Sequence, residues 1–403
     1  MRLPLESIRV LDLTRALSGP FCTMILGDLG ADVVKVEPLP SGEMIRTWGP
    51  FHDGIGTFFL SVNRNKRSLA VDFRDPEGLA LIRRLAREVD VLVENFKPGT
   101  PERMGIDYES LRPDNPGLVY TSITGFGREG PYGTWPGFDQ IAQGMSGLMS
   151  ITGYADGEPT RVGIPIADLL AGMWTATGVT AAIAQRHTTG TGQRVETSLL
   201  AALIGMLCVQ GQRYLSLEEV PPRAGNDHPV IYPYGSFTAS DGLLNLAAPT
   251  QDMWATVCHV LDLEELREHP DFVDNTARSK NRAPLRERMN ERLRHRTAIE
   301  WTHELIAAGI PAGPIYTLDQ VFADPQVQHC NFVEEVQHPV IGTLRQLSNP
   351  LRMDAFEGCT VRSHPPLLGE HSKTVLESFG LGEDEISRLV DAGVVGVAEG
   401  ETT

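Results

Sequence analysis

The first third of the chain alternates short aliphatic runs with longer stretches of helical period. Ile8 to Leu13 is a β-branched and aliphatic run, Gly19 to Leu29 repeats apolar positions at helical spacing, and Val33 to Glu37 returns to a strand pattern. Strand, helix and strand within about thirty residues make a βαβ unit, which requires a parallel sheet. The pattern recurs, predicting a helix over Pro76–Glu88 and strands over Val89–Glu94, Leu118–Thr124 and Arg194–Ser198. Asp75 before Pro76 supplies an N-cap with proline at the first helical position. The last strand leads into the apolar run Leu199–Val209. An α/β fold follows.

Around Ser216–Asn226 the sequence turns charged and richer in proline and glycine, and reads as a linker. Tyr232 to Ala248 then alternates as an antiparallel hairpin with its turn at Ser240–Gly242. Helices are predicted over Asp252–Leu261 and Ser279–Arg294. A second linker-like stretch runs from near Gly309 to Pro366, and Gly369–Ala392 is mainly helical. No internal repeat is present.

Composition narrows the chemistry. With 403 residues the chain can bury a large core in more than one lobe. Its 35 basic and 52 acidic residues give a net charge of −17, which disfavours nucleic acid as a partner. Any anionic ligand must therefore be met by a local cluster of cations. The five cysteines are widely spaced and make no metal-like pattern, so a reduced chain without a structural metal is expected. The amino-terminal stretch lacks a signal-peptide pattern, and the run Leu199–Val209 is too short to span a bilayer. The expectation is a cytoplasmic protein with no membrane partner and no metal.

One acid stands out. Between Arg161 and Arg186, Asp168 is the only charged side chain, set in Gly163-Ile-Pro-Ile-Ala-Asp168-Leu-Leu-Ala-Gly172. A carboxylate that loses hydration there becomes a better nucleophile or base. The alternative is that Asp168 caps the helix predicted over Leu169–Gln185, and the two roles are compatible. The turn Thr14–Pro20 lacks the G-x-G-x-x-G of a dinucleotide site, which disfavours a nicotinamide or flavin cofactor. Phosphate-loop, zincin and serine-hydrolase motifs are also missing. Cations do cluster, at Asn63-Arg64-Asn65-Lys66-Arg67, Arg74, Lys97 and Arg103, with Asn95 and Phe96 alongside. They suit a ligand carrying phosphates and an aromatic base, or else form a solvated charged surface.

Several ordered stretches carry a resemblance. They are Val10–Thr14 with Gly19-Pro20, Leu29–Glu37, Asn65–Ser68, Val93–Phe96, Arg103–Gly105, Gly163–Asp168 and Pro366–His371. Over essentially its whole length the chain resembles the class III CoA-transferases. The resemblance implies a large Rossmann-like domain over 1–200, a linker over 201–221 and a smaller α+β domain over 222–315. A second linker over 316–367 and a return to the large domain over 368–403 complete it. Family members form ring-shaped chains interlocked as homodimers.

The resemblance also assigns roles. Asp168 falls on the family's nucleophile, which forms a mixed anhydride and then an aspartyl-CoA thioester, and needs no permanently bound cofactor. Gly163 and Ala167 would leave room and offer amides to the developing oxyanion. CoA contacts fall on Leu17, Val71, Asp72, Phe73, Arg74, Asn95, Phe96, Lys97, Arg103 and Met104, with Phe138 and Asp139 near the thioester. Pro38 and Leu17 stand where formyl-CoA transferases carry Arg and Gln. Leu246–Gln251 replaces their glycine-rich flap. The rival α-methylacyl-CoA racemases use a histidine where this chain has Phe138, which cannot accept a proton. A formyl- or carnitine-type transferase is the other alternative.

Within the family the chain is most similar to succinyl-CoA:glutarate (hydroxymethylglutarate) CoA-transferases, through Arg46–Pro50, Leu60–Lys66, Ser122–Gly125 and Ser146–Met149. That implies succinyl-CoA as donor and a dicarboxylic acid as acceptor. Arg46 is the candidate anchor for the acceptor's second carboxylate, its alternative being a pair with a local acid such as Glu43.

Overall fold

The computed structural model describes residues 2–354 and 359–398. These form two compact units, one of residues 2–148, 161–219 and 330–398, the other of 149–160 and 220–329.

In the larger unit, strands β1 (Arg9–Asp12), β2 (Asp32–Pro38), β5 (Lys66–Val71), β6 (Val91–Glu94), β7 (Val119–Thr124) and β8 (Arg194–Ser198) pair in parallel. The short pair β3 (Phe51–His52) and β4 (Ile55–Gly56) stands apart, and β14 (Val395–Gly396) adds antiparallel to β5. The order is β14-β5-β2-β1-β6-β7-β8. The chain thus builds outward from β1 through β2 to β5, then returns to the other side of β1 with β6. Such a reversal leaves a crevice at the carboxyl ends of the two strands beside it.

Alternate side chains feed two apolar layers, as the strand period of two demands. Leu11, Leu92 and Tyr120 face Ile82 and Leu85 of the helix Pro76–Ala86 and Leu389 of the carboxy-terminal helix Glu383–Asp391. Val10, Val91 and Val119 face Cys22 and Leu26 of the helix Ser18–Asp28 and Val179 of the helix Ile166–Thr189. That last helix has 24 residues and enough apolar character to cross a bilayer, yet half of its most apolar stretch is buried within the protein.

The smaller unit folds around an antiparallel sheet of β9 (Tyr234–Thr238), β10 (Leu243–Ala247) and β11 (Ala312–Pro314). The hairpin predicted over Tyr232–Ala248 is present, closed by the Ala239 amide donating to the Gly242 carbonyl. Residues 149–160 join this unit because the Arg223 guanidinium donates to the carbonyls of Tyr154, Ala155 and Gly157.

The two linkers that the resemblance implies carry regular structure, whereas the composition break at Ser216–Asn226 has neither helix nor strand beyond Leu217. Residues 201–221 lie mostly in the helices Leu199–Met206 and Cys208–Leu217. The stretch 316–367 holds the helices Leu318–Ala323 and Pro325–His329 and the hairpin β12 (Val333–His338) with β13 (Gly342–Leu347). Val-Glu-Glu-Val-Gln-His and Gly-Thr-Leu-Arg-Gln-Leu carry too few apolar residues to announce strands. The helix expected over Ser279–Arg294 is interrupted at Asn281, between Asn275–Lys280 and Arg282–Leu293.

Candidate active site

At the end of β1, Asp12 is fully buried and saturated with donors. Oδ1 accepts the Thr14 amide at 2.9 Å and its hydroxyl at 2.5 Å; Oδ2 accepts the Thr23 hydroxyl at 2.6 Å and the Lys66 ammonium at 3.1 Å. Burial pushes this carboxyl up, but the charges of Lys66 and Lys35 and the two hydroxyls outweigh it and hold the group ionised. Burial in turn pulls Lys66 down to about 8. The cations at 64–67 are therefore structural and do not await a ligand. Arg64 forks onto Asp28 at 3.0 and 2.6 Å, and Arg67 forks onto Asp32. The sequence could not show this because each acid lies about thirty or more residues away.

The loops leaving β1 and β6 are fastened across the crevice. Asn95 Oδ1 accepts the Arg15 amide at 2.9 Å and Nδ2 donates to the Arg15 carbonyl at 2.7 Å, while the Arg15 guanidinium stands 5.1 Å from the Phe96 ring centre. Leu17 occupies the cap position of the helix Ser18–Asp28 and is buried. Beyond the buried Phe96, Lys97 is exposed; Arg103, also exposed, donates to the Thr100 hydroxyl, and Met104 is half-buried against the core. At the end of β5, Val71 is buried, Phe73 packs partly on the core, and Asp72 accepts the Arg74 amide at 2.9 Å. The Arg74 side chain is 78% exposed. The residues expected to meet CoA thus gather along one edge of the sheet, with Arg74, Lys97 and Arg103 facing solvent.

Asp168 does not cap its helix. Pro165 holds the cap position, and Asp168 is the third residue of Ile166–Thr189. The capping acceptor comes from elsewhere in the sequence, since Asp139 Oδ1 accepts the Ala167 amide at 2.8 Å. That amide is therefore already engaged, which removes it from the expected oxyanion contacts. Gly163 does leave room, because a Cβ there would meet nothing within 4 Å.

The half-buried Asp168 carboxyl lies near Ser18, whose hydroxyl favours the charged form. Gly172, one helical turn later on the same face, makes this approach feasible. A Cβ on Gly172 would lie 2.6 Å from the Ser18 carbonyl oxygen and 3.2 Å from the Cys22 nitrogen. Burial pushes the Asp168 carboxyl up to about 7, the Asp139 charge adds to this, and Ser18 partly offsets it. The side chain at the best-placed acid is thus poised between its two protonation states near neutrality.

Two outcomes follow. An ionised carboxyl can attack a thioester and a protonated one cannot, so for catalysis through Asp168 kcat/KM for an acyl-CoA should rise about tenfold per pH unit below a midpoint near 7 and level off above it. A profile flat from pH 5.5 to 8.5 would contradict this. Gly172→Ala gains helix propensity but must push Ser18 away, so activity should fall about a hundredfold while the melting temperature moves by only a few degrees. Steady-state kinetics beside thermal melts read both.

Phe138 is 60% exposed and precedes Asp139 on a segment held by Gly137, whose backbone packs against Gly125 so closely that a Cβ on Gly125 would lie 2.6 Å from the Gly137 Cα. Arg46 is placed differently from the expectation. Its guanidinium forks onto Glu37 at 2.6 and 2.7 Å, donates to the Pro366 carbonyl and lies 3.7 Å from the Phe59 ring centre. The geometry favours the structural pair, with Glu37 as the partner because Glu43 is bound by Lys35 at 3.4 Å. Ser18 and Gly172 escaped the sequence reading; the Gly172 spacing of four from Asp168 was the one available signal.

Residues 5–372 match CoA-transferase family III. The chain belongs to that family. It is 40% identical over 394 residues to human succinyl-CoA:glutarate CoA-transferase, covering 97% of this chain and 90% of that protein. To the succinyl-CoA:mesaconate CoA-transferase of Haloarcula hispanica it is 37% identical over 402 residues, covering 94% and 97%. The crystal structure of a CAIB/BAIF family protein from Brucella suis superposes with a TM-score of 0.86 at 38% identity, covering 94% of this chain and all of that one. The family III membership makes this protein a CoA-transferase, whose substrates are CoA thioesters and carboxylic acids.

Proposed function

We propose that this transferase moves CoA from succinyl-CoA to a small dicarboxylic acid through covalent intermediates on Asp168. The observation that carries the reading is the half-buried Asp168 carboxyl, with open space at Gly163 before it, which burial pushes up to about 7. Relatives named for succinyl-CoA with glutarate or mesaconate support the substrate class.

The proposed sequence balances. An Asp168 oxygen bonds to the donor's acyl carbon and the C–S bond breaks, giving a mixed anhydride and CoA thiolate. Thiolate attacks the aspartyl carbonyl, forming aspartyl-CoA thioester and releasing the donor acid with the bridging oxygen. The acceptor carboxylate attacks that thioester and expels thiolate. Thiolate then attacks the acceptor's acyl carbon, giving the new thioester and free Asp168. A raised carboxyl makes a stronger nucleophile and a less stable anion, which brings its acyl derivatives closer to thioesters. Arg74, Lys97 and Arg103 are the proposed partners of the CoA phosphates, and Asn95 and Phe96 shape the crevice beneath them. With Arg46 committed to Glu37, a different cation pairs the acceptor's second carboxylate.

The sheet order supports a Rossmann-like reading of the larger unit. An interlocked, ring-shaped homodimer is the proposed assembly, because Cys208–Leu217 buries none of its residues in the single chain and Val209, Leu215 and Leu217 are 76%, 77% and 67% exposed. Cytoplasmic location, no permanently bound cofactor and no membrane or nucleic-acid partner complete the proposal.

The test is incubation with succinyl-CoA, trapping with hydroxylamine and peptide mapping, followed by a panel of acceptor acids. An aspartyl hydroxamate at Asp168, with preference for dicarboxylates, is expected. Label at another residue would overturn the nucleophile, and preference for monocarboxylates would overturn the substrate class.

A further inference from the structure

The buried Gln143 links Asp139 to the chain that leads into the nucleophile. Asp139 sits at the start of the helix Asp139–Met145 and Gln143 follows one turn later. Gln143 Nε2 donates to Asp139 Oδ2 at 2.7 Å, and Gln143 Oε1 accepts the Val162 amide at 2.9 Å. Asp139 Oδ1 accepts the Ala167 amide at 2.8 Å. One helical turn therefore grips both ends of Val162–Ala167, the segment immediately before Asp168.

The direction of every bond is fixed. Backbone amides at Val162 and Ala167 can only donate, so each needs an oxygen. Gln143 must turn its oxygen to Val162 and its NH2 to Asp139, and Asp139 must accept at both of its oxygens. In the native pair, an acceptor–acceptor residue at 139 is thus matched to a donor–acceptor residue at 143.

We infer that Asp139 is a positioning residue acting with Gln143 as a directional clamp that sets the geometry of Asp168, and that neither side chain binds CoA. Three observations support it. Gln143 is completely buried, so it is out of reach of a ligand. Both Asp139 oxygens are already paired. The Gly125–Gly137 backbone contact fixes where residue 139 begins its turn. The clamp also keeps the Asp139 charge beside Asp168, where it favours the protonated acid.

This inference rests on Asp168 as the nucleophile, and its test separates the two. Asp139→Asn puts an NH2 against the Gln143 NH2, and Gln143→Glu sets two carboxylates face to face. Each alone should lower kcat/KM by about tenfold or more. In the double variant the introduced amide at 139 can donate to the introduced carboxylate at 143, whose other oxygen still accepts the Val162 amide. Asp139→Asn/Gln143→Glu therefore restores every bond with the central one reversed. The pair should recover at least half of the loss on a logarithmic scale. Asp139→Asn should also move the midpoint of the kcat/KM profile to lower pH, a shift that lost packing would not produce.

A double variant as poor as Asp139→Asn, or an unmoved midpoint, overturns the clamp. Should the exchanged pair fail to fold, a cycle of Asp139→Ala and Gln143→Ala decides. Members of one clamp lose together, so the double should be no worse than about the poorer single; fully multiplied losses overturn the inference. Mapping the trapped adduct in each variant keeps the readings apart. An adduct away from Asp168 defeats the proposed nucleophile whatever the rescue shows, whereas an adduct on Asp168 without rescue defeats the clamp alone.

Discussion

Asp168→Asn should reduce CoA transfer by at least about a thousandfold, because the amide is nearly isosteric but cannot form the anhydride. CoA binding should persist, since the exposed cations at 74, 97 and 103 are untouched. The same substitution should stabilise the fold. In the parent, the folded state holds the Asp168 proton up to about 7, well above the ordinary aspartate value of 3.8. Folded protein therefore binds more protons than unfolded chain between those values, and stability is lost as pH rises through that window. Asparagine removes the cost. At pH 8 the variant should gain up to a few kcal/mol, at about 1.4 kcal/mol per tenfold change in the ionisation constant. Below pH 4 the difference should vanish. Denaturant titrations at both pH values check the sign, and turnover within about tenfold of the parent would rule out covalent catalysis at this residue.

Asp12→Ala should be the most damaging single change outside Asp168. It strips Lys66 of its countercharge in a fully buried site and leaves the hydroxyls of Thr14 and Thr23 without their acceptor. Breaking such a pair from one side costs about 3–5 kcal/mol. The pair itself need not be net stabilising, so Asp12→Leu with Lys66→Met should recover much of the loss. A Cm shift in urea equivalent to less than about 1 kcal/mol for Asp12→Ala would show that the network is not a keystone of the crevice.

How much of this was legible in the sequence follows from the range of the interactions. The βαβ pattern of Ile8–Glu37, the Asp75 cap and the 232–248 hairpin depend on neighbours in the chain, and all three appear in the structure. The hairpin at 333–347 did not announce itself, because its strands carry few apolar residues. Asp168 is visible as a lone acid in an apolar setting, but the alternative of a capping role could not be decided from the sequence, since the actual acceptor, Asp139, lies 28 residues before Ala167. Arg46 and the cations at 64–67 looked available too. The partners of Arg64, Lys66 and Arg67, which are Asp28, Asp12 and Asp32, become neighbours only when the sheet forms, whereas Arg46 turns back nine residues to Glu37. The exposed Arg74, Lys97 and Arg103 have no such distant acids among the described residues' ion pairs, and they remain the candidates for phosphate.

The central claim, covalent passage through Asp168, predicts the fate of one oxygen atom. Each turnover leaves an acceptor-derived oxygen in the aspartate carboxyl, since the acceptor's oxygen bridges the second anhydride and thiolate then attacks the acyl carbon. Multiple turnovers with succinyl-CoA and an acceptor labelled with heavy oxygen in its carboxylates, followed by mass analysis of the peptide containing Asp168, read this directly. Heavy oxygen in Asp168 and in no other carboxylate is the predicted result. Efficient transfer with an unlabelled Asp168 would mean that CoA passes between the two acids without the acceptor ever bonding to this residue.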